Sequence, residues 1–273
     1  MVGFLGCGTL SRALIVGALE KKIFKPSQIL ISTRTLNSRR QFCSETGVNS
    51  AANNGELIRN SEIIFLGVKP SEMVSILRQL SEEHLEEKII ISLAAGVGER
   101  MLMKNLKSAR GVFRVMANLG ATIQAGVFGV FSIKANPSDE KKIKGFFSKL
   151  GEIVVVRNDQ GIDTITAGSA SGVGFVLSFM EDFQGWLEKR GLSRDVARRV
   201  TIETFLGAAK LAQFRSDLSF STLKKSVSSK KGTTQAGLDI FKKEKISASL
   251  KSGLDEAFKR AQEISKDLLR QGK

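Results

Sequence analysis

The stretch Val2-Gly3-Phe4-Leu5-Gly6-Cys7-Gly8-Thr9-Leu10-Ser11 decides the fold. A short apolar run meets a glycine turn, and Leu10 to Glu20 then continues with helical spacing. The turn has the form Gly-x-Gly-x-x-Ser. Gly6 allows the tight bend, and Gly8 lets a pyrophosphate approach the backbone. Small Ser11 lets the helix lie close on the sheet, with its positive end facing the phosphates. The motif is weak alone, but here it has the strand-turn-helix setting that a dinucleotide site requires.

Working outward, further apolar runs predict strands at Ile29–Ser32, Glu62–Val68, Lys88–Leu93 and Gly111–Val115. Helical stretches at Leu36–Glu45, Ser71–Leu80 and Val97–Leu106 separate them. Strands alternating with helices predict a parallel α/β sheet. Gly126–Ile133 and Ile153–Val156 add strands, with a helix at Ser138–Leu150 between them. Beyond Asp159 the strand runs stop, and helical periods follow at Ser171–Lys189, Ser193–Phe214, Ser221–Ser226, Gln235–Lys242 and Ile246–Leu269. The expected boundary is near Asn158, with an α/β nucleotide-binding domain over residues 1–158 and an all-helical domain over 159–273.

The end of the second strand reads Ser32-Thr33-Arg34-Thr35, with no acidic residue to hold a free ribose 2′-hydroxyl. Arg34 and the hydroxyls suit a 2′-phosphate, and Arg39 and Arg40 add positive charge nearby. NADPH is therefore the expected cofactor, with NADH possible.

Composition narrows the chemistry. There is no Tyr, one His and two Cys. A Tyr-Lys reductase, a His-rich metal site and a zinc ribbon are excluded, so no metal is expected. Two Cys make no disulfide framework. No secretory leader is expected, and no run of about 18 apolar residues appears. The expectation is a cytoplasmic protein with no membrane partner. The net charge of +15 is spread over the chain, with 22 basic and 13 acidic residues up to Asn158 and 20 and 14 beyond it. No basic block interleaved with aromatic residues appears, so no nucleic-acid partner is expected. The charge is read as an attraction for anionic cofactor and substrate.

Motifs along nearly the whole chain resemble the pyrroline-5-carboxylate reductase family. They are the opening Gly3 to Leu10, Val68-Lys69-Pro70, Ser92-Leu93-Ala94-Ala95-Gly96, Arg114-Val115-Met116-Ala117-Asn118, Asp163 to Gly172, and Gly232-Thr233-Thr234-Gln235-Ala236-Gly237-Leu238. The resemblance implies a Rossmann-type N-terminal domain and an all-α C-terminal dimerisation domain. It implies a homodimer or a ring of dimers, and reduction of a small anionic cyclic imine, 1-pyrroline-5-carboxylate, to L-proline in the last step of proline biosynthesis. Carried over by position, Gly6, Gly8, Thr9 and Leu10 line the pyrophosphate, and Ser32 and Arg34 hold the adenosine end. Val68, Lys69 and Pro70 pass beside the nicotinamide ribose. Ala94, Ala95, Gly96 and Asn118 lie near the ring. Ser229, Gly232, Thr233 and Thr234 hold the substrate, and Thr234 and Lys69 are assigned to the catalytic centre. Reduction of a cyclic imine needs placement more than a strong acid, which agrees with the scarcity of His and Tyr.

Three segments depart from the family pattern. Ala117-Asn118-Leu119-Gly120 lacks the usual prolines, Val173 replaces a helix-starting proline, and Ser229-Lys230-Lys231-Gly232 replaces Ser-Pro-Gly-Gly. Lys230 and Lys231 read either as added attraction for an anion or as solvated charges on an altered loop. A homologue that binds NADP but has lost or changed imine reduction is thus an alternative. A β-hydroxyacid dehydrogenase is disfavoured, because Ser178 and Asp182 stand where its Lys and Asn belong. Among single residues, His84 is expected at the surface, Cys7 and Cys43 in packing, and Glu181 in a structural role. Phe179, Phe183 and Trp186 are expected in a core or subunit-interface stripe.

Overall fold

The computed structural model describes residues 1–271. The first half runs β1 (Val2–Leu5), α1 (Thr9–Glu20), β2 (Ile29–Ser32), α2 (Leu36–Thr46), β3 (Asn49–Ser50), α3 (Asn54–Asn60), β4 (Ile63–Leu66), α4 (Pro70–Ser81), β5 (Ile89–Ser92), α5 (Glu99–Asn105) and β6 (Gly111–Ala117). It continues through β7 (Gly126–Lys134), α6 (Pro137–Phe147), β8 (Gly151–Val155) and α7 (Asp159–Ile165). The expected strands and helices are present, with ends shifted by a few residues. β3, α3 and α7 are additions.

The eight strands form one sheet in the order β3-β2-β1-β4-β5-β6-β7-β8. β1 to β6 run parallel, β7 turns antiparallel against β6, and β8 pairs parallel with β7. The central strands are buried throughout, which is why they read as continuous apolar runs. Alternate side chains serve opposite faces. Phe4, Ile31, Phe65 and Ile91 meet α1 and α6 through Leu14, Ile15, Phe146 and Phe147. Leu5, Leu30, Leu66 and Ile90 meet α3, α4 and α5 through Leu57, Met73, Leu77 and Leu102. Phe4 and Phe65 stack with centroids 4.5 Å apart. The order reverses between β1 and β4, so a crevice opens at the carboxyl ends of these strands.

The helices of the second half are α8 (Gly172–Lys189), α9 (Arg194–Phe214), α10 (Phe220–Ser226), α11 (Thr233–Lys243) and α12 (Ile246–Gln271). The chain forms two compact units, Met1–Ser171 with Glu256–Lys273, and Gly172–Asp255. Compactness therefore divides the chain after Ser171 rather than at Asn158. The reason lies in α7, whose Ile162 packs with Met116 and Phe131. Arg114 on β6 is 2% exposed and pairs with Asp159 and Asp163 of that helix. The end of α12 also belongs to the first unit: Leu268 enters the core, and Ile264 lies against Gly96 so closely that a side chain there would strike it.

Within the second unit, α8 buries no residue, and Leu177, Phe183, Trp186, Phe214 and Phe220 are exposed. The aromatic stripe is therefore not a core of the single chain. The continuous run Asp159–Lys189 is long and apolar enough to cross a membrane by length and composition, which the plain sequence did not suggest.

Candidate active site

A cleft of about 550 Å³ opens over the ends of β1, β2 and β4. It gathers six of the expected residues: Gly6, Gly8, Ser32, Arg34, Val68 and Lys69. Gly6 has φ +88, and its amide donates to the Ser32 carbonyl at 2.8 Å. A Cβ there would sit 2.7 Å from the Gly67 carbonyl oxygen, so only glycine makes the turn. Gly8 differs. A Cβ on it would meet only the Gly67 oxygen, at 3.9 Å. The space beside Gly8 is room for a ligand, not for protein. Gly8 caps α1 without a side-chain bond, and no acid lies in the first turn. Those free amides and the helix dipole favour an anion. The cradle thus fits a dinucleotide pyrophosphate.

On the opposite wall Lys69 is the extended residue before Pro70, as a proline demands, and Pro70 starts α4. Thr9, Leu10 and Pro70 flank the cleft in sequence but do not line it, nor do Ala94, Ala95 and Gly96. Asn118 is buried and its side chain is already engaged. It donates to Ser169 Oγ at 3.0 Å and accepts from the amides of Gly120 and Val127 at 3.1 and 3.3 Å. Its side chain thereby shapes the loop after β6.

Asn54 and Glu72 are among the lining residues that sequence reasoning missed. Asn54 accepts from Ser32 Oγ at 2.7 Å and donates to Gln79 at 2.9 Å. It sits on α3, whose start carried a readable signal: Asn53 caps the Glu56 amide, and Glu56 reaches back to the Ala52 amide. Glu72, on the first turn of α4, forms an ion pair with Arg34 across the mouth of the cleft. Of the other arginines, Arg12 is held by the Cys7 and Ser38 carbonyls and by Ser38 Oγ. It also lies over the Phe42 ring. Arg39 donates to the Ala51 carbonyl. Burial pushes the Cys7 thiol up to about 11, so it is protonated and packs rather than reacts.

The residues expected to hold substrate lie in the second unit, at the head of α11. Gly232 caps that helix without a side-chain bond, and its amide donates to the Ser229 carbonyl at 2.9 Å. Thr233 and Thr234 follow in the first turn, exposed, with no acid beside them. Lys231 has φ +63, so the family's glycine position does require left-handed backbone, and a lysine holds it under strain. Lys231→Gly should raise stability by about 0.5–1 kcal/mol. A urea midpoint that falls or stays unchanged would contradict this.

A doubly wound α/β domain with a phosphate cradle, followed by helices, is an architecture found among nucleotide-dependent oxidoreductases. The family described as pyrroline-5-carboxylate reductase dimerisation matches residues 159–264, and that described as NADP oxidoreductase, coenzyme F420-dependent, matches residues 1–96. The pyrroline-5-carboxylate reductase of Pasteurella multocida is 31% identical, covering 96% of this chain and 97% of its own. That of Methanosarcina acetivorans is also 31% identical, covering 97% and 98%. Among solved structures, the Plasmodium falciparum pyrroline carboxylate reductase with NADP bound is 26% identical with a TM-score of 0.88, covering 97% of each chain. The Coxiella burnetii pyrroline-5-carboxylate reductase is 27% identical with a TM-score of 0.85, covering 97% and 98%. The chain belongs to the pyrroline-5-carboxylate reductase family.

Proposed function

We propose that the protein reduces 1-pyrroline-5-carboxylate to L-proline with NADPH, as the last step of proline biosynthesis. The observation that carries this reading is the near full-length likeness to reductases of that name, joined to a cleft whose cradle accepts a dinucleotide. Bound NADPH supplies the hydride. The first turn of α1 holds the pyrophosphate at Gly6, Gly8, Thr9 and Leu10, while Ser32 and Arg34 hold the adenosine end. Val68, Lys69 and Pro70 flank the nicotinamide ribose, with Ala94, Ala95 and Gly96 near the ring and Asn118 fixing the adjacent loop.

The amides around Ser229, Gly232 and Thr233 bind the substrate carboxylate, aided by the dipole of α11. The Thr234 hydroxyl orients the ring nitrogen, which takes its proton from water. The exposed apolar stripe of α8 meets the helices of a second copy rather than lipid, in keeping with the matched dimerisation family. The family match over residues 159–264 supports a division near Asn158. Both cysteines are free, which supports a reducing, cytoplasmic setting.

The test is spectrophotometric: NADPH oxidation with 1-pyrroline-5-carboxylate and related cyclic imines. Nucleotide binding without turnover of any of them would favour the non-catalytic alternative, which the names of the relatives do not support. Thr234→Ala should lower kcat about tenfold while NADPH affinity stays within about twofold. Full activity in that variant would remove Thr234 from the site.

A further inference from the structure

We propose that Glu72 sets how strongly the cleft prefers a nucleotide with a 2′-phosphate over one with a free 2′-hydroxyl. The inference rests on the nucleotide reading above. Among the described residues, the charged side chains lining the cleft are Arg34, Lys69 and Glu72. The end of β2 offers no acid, and that absence favoured NADPH. Folding restores an acid there from another element. Glu72 projects from the first turn of α4, and its carboxylate pairs with the Arg34 guanidinium.

The pair ties up the cation best placed for the phosphate. Arg12 and Arg39 do not replace it, because carbonyl oxygens already hold them. A 2′-phosphate must therefore take Arg34 from Glu72 and then sit near a carboxylate of its own sign. Arg34 is 82% exposed, so the pair is weak and a dianion can displace it. A 2′-hydroxyl meets the opposite situation, because it needs an acceptor and Glu72 supplies one. Arg34 and Glu72 thus oppose each other in cofactor choice. The chain is built to accept NADH more readily than its basic Ser32–Thr35 turn alone implies.

The test is calorimetric titration of the full-length protein, Glu72→Gln and Arg34→Ala with NADPH and with NADH, without substrate. Glutamine keeps the size of the side chain and removes the charge. The expected result is that Glu72→Gln tightens NADPH about fivefold and leaves NADH unchanged or weaker, while Arg34→Ala weakens NADPH far more than NADH. The double variant should bind NADPH less tightly than Glu72→Gln, because the cation that the phosphate would gain is gone. Equal shifts for both nucleotides in Glu72→Gln, or no shift, would overturn the role of Glu72 while leaving nucleotide binding intact. If the unaltered protein bound neither nucleotide, the nucleotide reading would fall, and this inference with it.

Discussion

Arg114→Ala should lower the stability of the protein by about 3–5 kcal/mol, read as a fall in the urea midpoint. Arg114 stands mid-strand on β6 with 2% of its surface exposed. Its Nη1 donates to Asp159 Oδ1, and its Nη2 lies 3.9 Å from Asp163 Oδ1. Asp159 also accepts the Glu99 amide at 3.0 and 3.1 Å, so one guanidinium braces β6, α5 and α7 together. Asp163 is buried, and burial already raises its carboxyl above the ordinary range against the opposing pull of Arg114. Removing the arginine leaves that carboxyl unpaired in a dry site and opens a cavity beside it. Burial then acts on the Asp163 carboxyl without the arginine's opposing pull, and leaving that group unpaired in the interior is costly. The double variant Arg114→Met with Asp163→Asn should recover part of the loss, because it removes the orphaned charge. A midpoint unchanged in the single variant would mean that the cluster contributes nothing to holding α7 on the sheet.

Gly8→Ala should weaken NADPH binding about tenfold or more while leaving the urea midpoint nearly unchanged. The new methyl enters the open space beside the first turn of α1, where a pyrophosphate would lie, and nothing in the protein opposes it. Gly6→Ala supplies the contrast. There the methyl meets backbone at 2.7 Å with φ at +88, so it should reduce stability as well as binding. The two glycines separate a residue needed by the fold from one needed by the ligand. Calorimetric affinity and denaturation measured on both variants check the distinction. Unaltered NADPH affinity in Gly8→Ala would place the pyrophosphate elsewhere.

The central strands were legible because burial on both faces leaves a continuous apolar run, as in Ile63 to Leu66 and Ile89 to Ser92. The phosphate turn was legible because few local structures need glycines at that spacing. β3 was not, because its two residues are polar, exposed and paired at the sheet edge. α3 was hidden by Asn53-Asn54-Gly55, which reads as a turn until the cap on Glu56 is recognised. The cleft was half legible. Gly6, Gly8, Ser32 and Arg34 follow from local pattern, while Glu72 is brought to Arg34 only by the pairing of β1 with β2 and β4. Linear spacing also missed the attachment of α7 to the sheet, since that depends on Arg114, an ion-pair partner 45 residues away from Asp159. Lys231 stands where the family pattern has glycine. The backbone there is left-handed, and the cost of a side chain is incurred.

The return of α12 to the first unit bears on how the chain is made. Leu268 completes the apolar face formed by Leu66, Ile90 and Val97. A ribosome delivers residues at about 5–20 per second, so many seconds separate synthesis of that face from arrival of the segment that seals it. Through this interval the nascent sheet keeps an oily seam open to water and to other chains. Translation speed across Gly172–Asp255 and shelter by chaperones thus bear on yield, and the face is closed only when residues 256–271 have been made.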